Sequence, residues 1–495
     1  MSTFAQTAKA VSNKTVNDCG IPAYVSTGSE LLDYFSKSGA LRGNDVVGIK
    51  LFTAAFNSDD RELALATLLY TRDPRNGLGE RQHFRSIIAD LAKSASKEIN
   101  FKKLIELIPT VGRFDDLEVF FDTPYEEDTV SFICSKLRED LKMVSSRKKE
   151  KTVSLAAKWA PTENCSSKRS KQLAAKIRNG MAMTPKEYRK TLVKIRKHLN
   201  LVESNLSQKT LDKIDYAAVP SKANLLYKNA FLRNDTDRRR AFLASLKKGE
   251  TKINASVTYP YEIVSKSKLS HDDTLEQLWK ALPNYVEGES SVLIMADVSP
   301  SMNYFNGNVK VKSYCPMDMS TSLAIYFAER NKGPYKDLFM TFSDEPKFQA
   351  LAGASLSAKI AKTLTGMGYS TNLAGAFDAI LDHAKEHEVP QKDMPKALVV
   401  ISDMQMNEGG DVDYSKIKAK FKKAGYTPPV LVWWNVNASD SNPDYSQDGV
   451  VFVSGASPAV FKSLLLVIQN KKVNPMDQVK TALQNYIPLA RSLLK

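Results

Sequence analysis

The run Ser291-Val-Leu-Ile-Met-Ala-Asp297-Val-Ser299-Pro-Ser301-Met302 decides how the carboxyl-terminal half of the chain is read. Val292 to Ala296 are apolar without polar alternation, the pattern of a strand covered on both faces. Asp297 then stands at the carboxyl end of that strand, where open α/β sheets collect their ligands. Asp-x-Ser-x-Ser in a loop can turn three oxygens toward one point. Hard divalent cations such as Mg2+ take oxygen ligands in a near-octahedral array.

Two later stretches extend the pattern. Gly368-Tyr-Ser-Thr371-Asn372 precedes the helical pattern Leu373 to Lys385, so Thr371 offers a further hydroxyl at a loop-to-helix junction. Lys396-Ala-Leu-Val-Val-Ile-Ser402-Asp403 is a second apolar strand ending in an acid. Asp-x-Ser-x-Ser alone is equally well a polar turn that caps a helix; the later elements, in this order, favour a site. That order resembles the metal-ion-dependent adhesion site of von Willebrand factor A domains. The resemblance implies that Asp297, Ser299, Ser301, Thr371 and Asp403 hold Mg2+ or another divalent cation such as Mn2+. Pro300 stands where the family usually has glycine, which stiffens the loop and removes no ligand.

Working outward, short apolar strands alternate with helical patterns from about residue 288. The expected elements are Val292–Asp297, Met317–Glu329, Leu338–Phe342, Leu356–Leu364, Leu373–Lys385, Ala397–Asp403, Tyr414–Ala424, Val430–Val436, Val450–Val453 and Pro458–Ile468. Such alternation predicts a doubly wound, mostly parallel sheet. Pro475 to Leu494 reads as one final amphipathic helix that packs back on the body of the protein.

The amino-terminal half has a different period. Residues up to about Pro22 are polar and aperiodic, and a mobile segment is expected there. From Asn44 onward apolar residues recur at helical spacing, broken at Thr71–Gly79, near Pro109 and at Asp215–Ser221. These helix–turn–helix units look like α-solenoid repeats, without a strict internal repeat. Thr184-Pro185-Lys-Glu187 is a helix start, with Thr as cap, Pro first and Glu third. The expected domains are therefore a mobile segment 1–24, a helical domain 25–287, a sheet domain 288–472 and a carboxyl-terminal helix 473–495. The fold class is α + α/β.

The 495 residues carry a net charge of +15, and its distribution is uneven. Lys136 to Asn200 hold 19 Lys and Arg against 5 Asp and Glu, a balance of +14. Ser291 to Asn470 hold 17 against 18, a balance of −1. A concentrated basic segment points to a polyanion, the plain alternative being solvated helix faces. Charge clustering selects Lys168, Arg169, Lys171, Lys176 and Arg178 on one amphipathic helix, and Arg189, Lys190, Lys194, Arg196 and Lys197 on the next. Arg238 to Arg240 add a third cluster. Cys19, Cys134, Cys165 and Cys315 lack metal-ligand spacing and read as free thiols in a reducing compartment. No apolar run approaches the roughly 20 residues that cross a bilayer. Met1 to Lys14 have no apolar signal core, so a cytoplasmic protein is expected.

Further stretches carry a second resemblance. Tyr188-Arg-Lys-Thr-Leu, Ile214-Asp-Tyr-Ala-Ala-Val-Pro-Ser221, Tyr227-Lys-Asn-Ala-Phe231-Leu-Arg233, Val432-Trp-Trp434-Asn435 and Gly449-Val-Val-Phe-Val-Ser-Gly455 resemble an uncharacterised family of plants and large DNA viruses. That family looks like a relative of the Ro autoantigen (TROVE) proteins. The resemblance implies HEAT-like helical repeats curved into a ring or arc, bridged by a von Willebrand A domain with a Rossmann-like sheet. It also implies single-stranded or small structured RNA as partner, no membrane association and no enzymatic activity. A metal-dependent protein-binding scaffold or virion component, gripping an acidic protein without RNA, is the alternative. A two-metal nuclease is a third reading, disfavoured because no second acid cluster is visible. His383 and His387, four apart on one helix, are a possible metal pair but read more simply as helix surface.

Overall fold

The computed structural model describes residues 13–16, 22–146, 152–268, 271–286, 291–305, 314–342, 345–365, 372–404, 414–438, 449–468 and 475–495. Contacts divide the chain into two compact units. One comprises Met1–His83 with Ala255–Ile487, the other Phe84–Asn254 with Pro488–Lys495. The helix-to-sheet change of period at 287/288 is thus not the edge of a compact unit. Residues 255–286 and those before Phe84 group with the sheet.

The architecture is α + α/β. In the first unit, six strands lie in the order β5-β4-β3-β6-β7-β8. They are β3 (Val292–Asp297), β4 (Leu338–Phe342), β5 (Phe348–Ala350), β6 (Ala397–Ser402), β7 (Val430–Asn435) and β8 (Val450–Ser454). All neighbours are parallel except β4 and β5. β3, β6 and β8 are buried along their whole length, as uninterrupted apolar runs require. Alternate residues serve opposite faces. Leu293, Met295, Leu398, Val400 and Trp433 pack with Phe377 and Phe421 on one side. Trp434 meets Phe327 on the other, 5.5 Å between ring centres, and Phe327 in turn meets Phe461. The edge strand β5 was not expected from sequence: three residues, none of them buried, leave no apolar run to read.

Segments before His83 serve the sheet as well. Gly39 lies so close to β8 that a Cβ there would come within 2.7 Å of the Ser454 carbonyl. The Gly39 N–H donates to Ser454 Oγ at 3.0 Å, and the Ala438 N–H donates to the Ala40 carbonyl at 3.0 Å. Lys14–Val16 (β1) and Pro22–Tyr24 (β2) pair antiparallel, where an aperiodic mobile segment was expected; residues 1–12 and 17–21 lie outside the described residues.

The second unit is helical. Helix Glu126–Ser145 packs with Phe101–Val111, Lys168–Gly180 and Pro185–His198. Pro109 lies inside its helix, which ends two residues later at Val111. The expected capping box is present: Glu187 N–H donates to Thr184 Oγ1 at 3.3 Å, and Thr184 N–H to Glu187 Oε2 at 2.8 Å. The carboxyl-terminal stretch forms two helices, Pro475–Leu483 and Ile487–Leu493, not one. The first packs on β8; beyond the second, Leu493 O accepts from Asn100 N–H at 2.8 Å and the Lys495 N–H donates to Glu98 O. No helix among the described residues is long and apolar enough to cross a membrane.

Candidate metal centre

Chain order creates the site. From β3 the chain moves outward to β4, then crosses back to β6 on the opposite side of β3. This is the switch point at which the carboxyl ends of neighbouring strands diverge and leave a crevice. Asp297 closes β3, Ser402 closes β6, and Ala296 pairs with Ile401 one position earlier. The two side chains meet as a result. Ser402 Oγ donates to Asp297 Oδ2 at 2.6 Å, and the Ser299 N–H donates to Asp297 Oδ1 at 2.9 Å. Both carboxylate oxygens are thereby held.

Asp297 is fully buried. Burial holds its carboxyl above the usual carboxylate range, and hydrogen bonds from Ser299 and Ser402 oppose that shift. A buried carboxylate surrounded by neutral donors is costly to charge, and a cation would offset that cost.

The hydroxyls supply the matching geometry. Ser299 Oγ and Ser301 Oγ are 3.0 Å apart. Adjacent ligands of an octahedral Mg2+ at 2.0–2.1 Å stand roughly 2.9 Å from each other. Ser299 is buried, whereas Ser301 and Tyr304 are exposed, so the hydroxyl pair spans from the interior to solvent. The 3-10 turn Pro300–Asn303 holds the pair in place, Pro300 supplying its first residue, and packs on helix Pro316–Arg330. The residues present fit a hard divalent cation.

Asp403 is buried one residue beyond Ser402. Met404 follows in the left-handed region, φ 64°, and its N–H donates to Ser402 Oγ at 3.0 Å. That turn anchors the Ser402 hydroxyl from behind. Thr371 lies outside the described residues. Its neighbour Asn372 caps helix Leu373–Glu386 by accepting the Gly375 N–H at 2.8 Å. The structure therefore brings Asp297, Ser299 and Ser301 together and sets Asp403 on the adjoining strand end. Ser402 was missed as a site residue, although it stands in the second motif. Among the described residues, no group of three or more His, Cys, Asp or Glu is placed to hold a metal.

Residues 291–486 match a domain of unknown function (DUF7788). A second domain of unknown function (DUF2828) matches residues 178–289. An uncharacterized protein, L728, of Acanthamoeba polyphaga mimivirus is 29% identical over 522 aligned residues, covering 96% of this chain and 88% of the relative. The crystal structure of the Deinococcus radiodurans Ro (RSR) protein aligns over 93% of this chain and 100% of its own, at 15% identity and a TM-score of 0.41.

The basic residues divide into two groups. Lys176 pairs with Asp122 and Glu126 at 2.9 and 2.7 Å, and Arg178 pairs with Glu163 at 2.8 Å. Arg196 donates to the carbonyls of Ala157 and Ala160 at 2.7 and 2.6 Å, closing helix Ala156–Trp159. Burial lowers its guanidinium pKa, so this arginine is part of the packing. Arg169 pairs with Asp122, and Lys194 donates to Ser145 Oγ at 2.8 Å, though both stay exposed. Lys168, Lys171, Arg189, Lys190 and Lys197 are exposed and form no ion pair with a described residue. In the third cluster, Arg239 is fully buried, its guanidinium 4.9 Å from the Tyr216 ring centre and 5.2 Å from that of Phe231.

Proposed function

We propose that the protein is a non-enzymatic RNA-binding scaffold of the Ro type. Its helical unit would engage RNA through helices Lys168–Gly180 and Pro185–His198. Its sheet unit would carry Mg2+ at Asp297, Ser299 and Ser301, completed by Thr371 and Asp403. The observation that carries the reading is the set Lys168, Lys171, Arg189, Lys190 and Lys197: five exposed cations on two successive helices, with no acid partner among the described residues. Unpaired cations of this kind are the groups that neutralise phosphates and release counterions. The motif resemblance to Ro relatives supports the same assignment.

The hydroxyl pair favours a second role for the sheet unit. Ser301 and Tyr304 are exposed, so a cation held there would meet solvent and could take an outside ligand. A carboxylate of an acidic protein partner would suit it.

The test is affinity for a single-stranded and a structured RNA across a salt series, with Mg2+ and with chelator. The expected result is steeply salt-sensitive binding that weakens when the five cations are replaced by glutamine. Absence of salt-sensitive binding would retire the RNA reading and leave metal-dependent protein binding.

A further inference from the structure

His383 and His387 take no part in the sheet-end site. They stand one turn apart at the carboxyl end of helix Leu373–Glu386, His387 being the residue that caps it. Both side chains are exposed. Residues four apart share a helix face, and here the two ring centres are 4.5 Å apart with planes inclined at 54°. A divalent ion bound 2.0–2.1 Å from one nitrogen of each imidazole sets the ring centres roughly 5 Å apart. Small side-chain rotations therefore close the chelate.

Two surroundings assist. The Phe348 ring lies 5.3 Å from the His383 ring and restricts its rotamers from the edge strand β5. The last carbonyls of a helix carry partial negative charge, which favours a cation beside them. Of the neighbouring charges, Lys385 is drawn toward Asp382 at 3.6 Å, and Glu386 and Glu388 flank the pair.

We propose that His383 and His387 form a second metal site, of different chemistry from the first. Paired imidazoles select late first-row divalent ions such as Zn2+, Ni2+ or Cu2+ over Mg2+. No third His, Cys, Asp or Glu among the described residues joins them. The site is an open two-nitrogen chelate whose other positions take water or a partner's donor.

The experiment is calorimetric titration of the full-length protein with Ni2+, in saturating Mg2+. Saturable binding is expected, and His383→Ala and His387→Ala should each weaken it about ten-fold or more, since losing a ligand costs at least what losing a group that orients one does. Both side chains are exposed, so the variants should keep the wild-type circular dichroism. Cu2+ bound to the wild type should show two nitrogen donors by electron paramagnetic resonance, reduced in either variant. Unsaturable Ni2+ binding, or equal binding by wild type and both histidine variants, would overturn the proposal.

Discussion

Ser402 is absent from the Asp-x-Ser-x-Ser motif, yet its hydroxyl fixes one oxygen of Asp297 while the Ser299 N–H fixes the other. Groups that orient a ligand are worth about 10–100-fold in metal affinity. Ser402→Ala should therefore weaken Mg2+ or Mn2+ binding about ten-fold or more with the fold intact, as read by calorimetry. Unchanged affinity would mean that the Ser299 N–H is enough to hold the Asp297 carboxylate. A second residue-scale effect concerns His83, buried against Gly48, with Tyr34 Oη 3.3 Å from its Nε2. Burial pushes its imidazole down from 6.5 to about 4, opposed by Asp45. Between those values the unfolded chain binds a proton that the folded chain excludes. This contribution is complete above pH 6.5 and is lost as the pH falls toward 4. The loss amounts to at most about 3 kcal/mol. His83→Gln should flatten the dependence of unfolding free energy on pH across that window, measured by urea denaturation at several pH values.

Among the elements, β8 shows how an edge strand is closed. Gln478, on helix Pro475–Leu483, accepts the Phe452 N–H at 3.3 Å and donates back to the Phe452 carbonyl. A side-chain amide thus occupies the place of a further strand. Gln478→Ala removes both buried bonds and should destabilise the protein by roughly 1–3 kcal/mol, seen as a lower denaturation midpoint. The neighbouring Trp-Asn and Ser-Gly stretches have a matching physical basis. Trp434 Nε1–H donates to Gly455 O at 2.6 Å, the Gly455 N–H donates to Asn435 O at 2.8 Å, and Gly455 sits at φ 98°. The helix cap at Thr184 was legible because it is local: donor and acceptor lie three residues apart.

For the whole molecule, the net charge of +15 matters less than its placement. Each phosphate contact on a single strand contributes about 0.7 to the slope of log K against log salt. Replacing Lys168, Lys171, Arg189, Lys190 and Lys197 with glutamine should reduce that slope by up to about 3.5 if all five act. Replacing Lys176, Arg178 and Arg196 should lower stability first, because those cations hold Asp122, Glu126, Glu163 and the carbonyls of Ala157 and Ala160. A variant that loses RNA affinity with an unchanged thermal midpoint distinguishes the two groups.

The sequence by itself determined the five parallel strands of the sheet, most of the helices and the position of Asp297 at a strand end. Those features depend on hydrophobic period and on residues within a turn of each other. It did not determine which cations are free. Acids from distant segments take part, such as Asp122 for Arg169 and Lys176, and Arg239 spends its charge among aromatic rings. Nor did it determine where the compact units divide, since Gly39 and Ala40 reach Ser454 and Ala438 across some 400 residues of chain. Only the tertiary structure sets such pairings, because contact between distant segments depends on how the strands are ordered, which hydrophobic periodicity leaves open. The same ordering places Ser402 against Asp297.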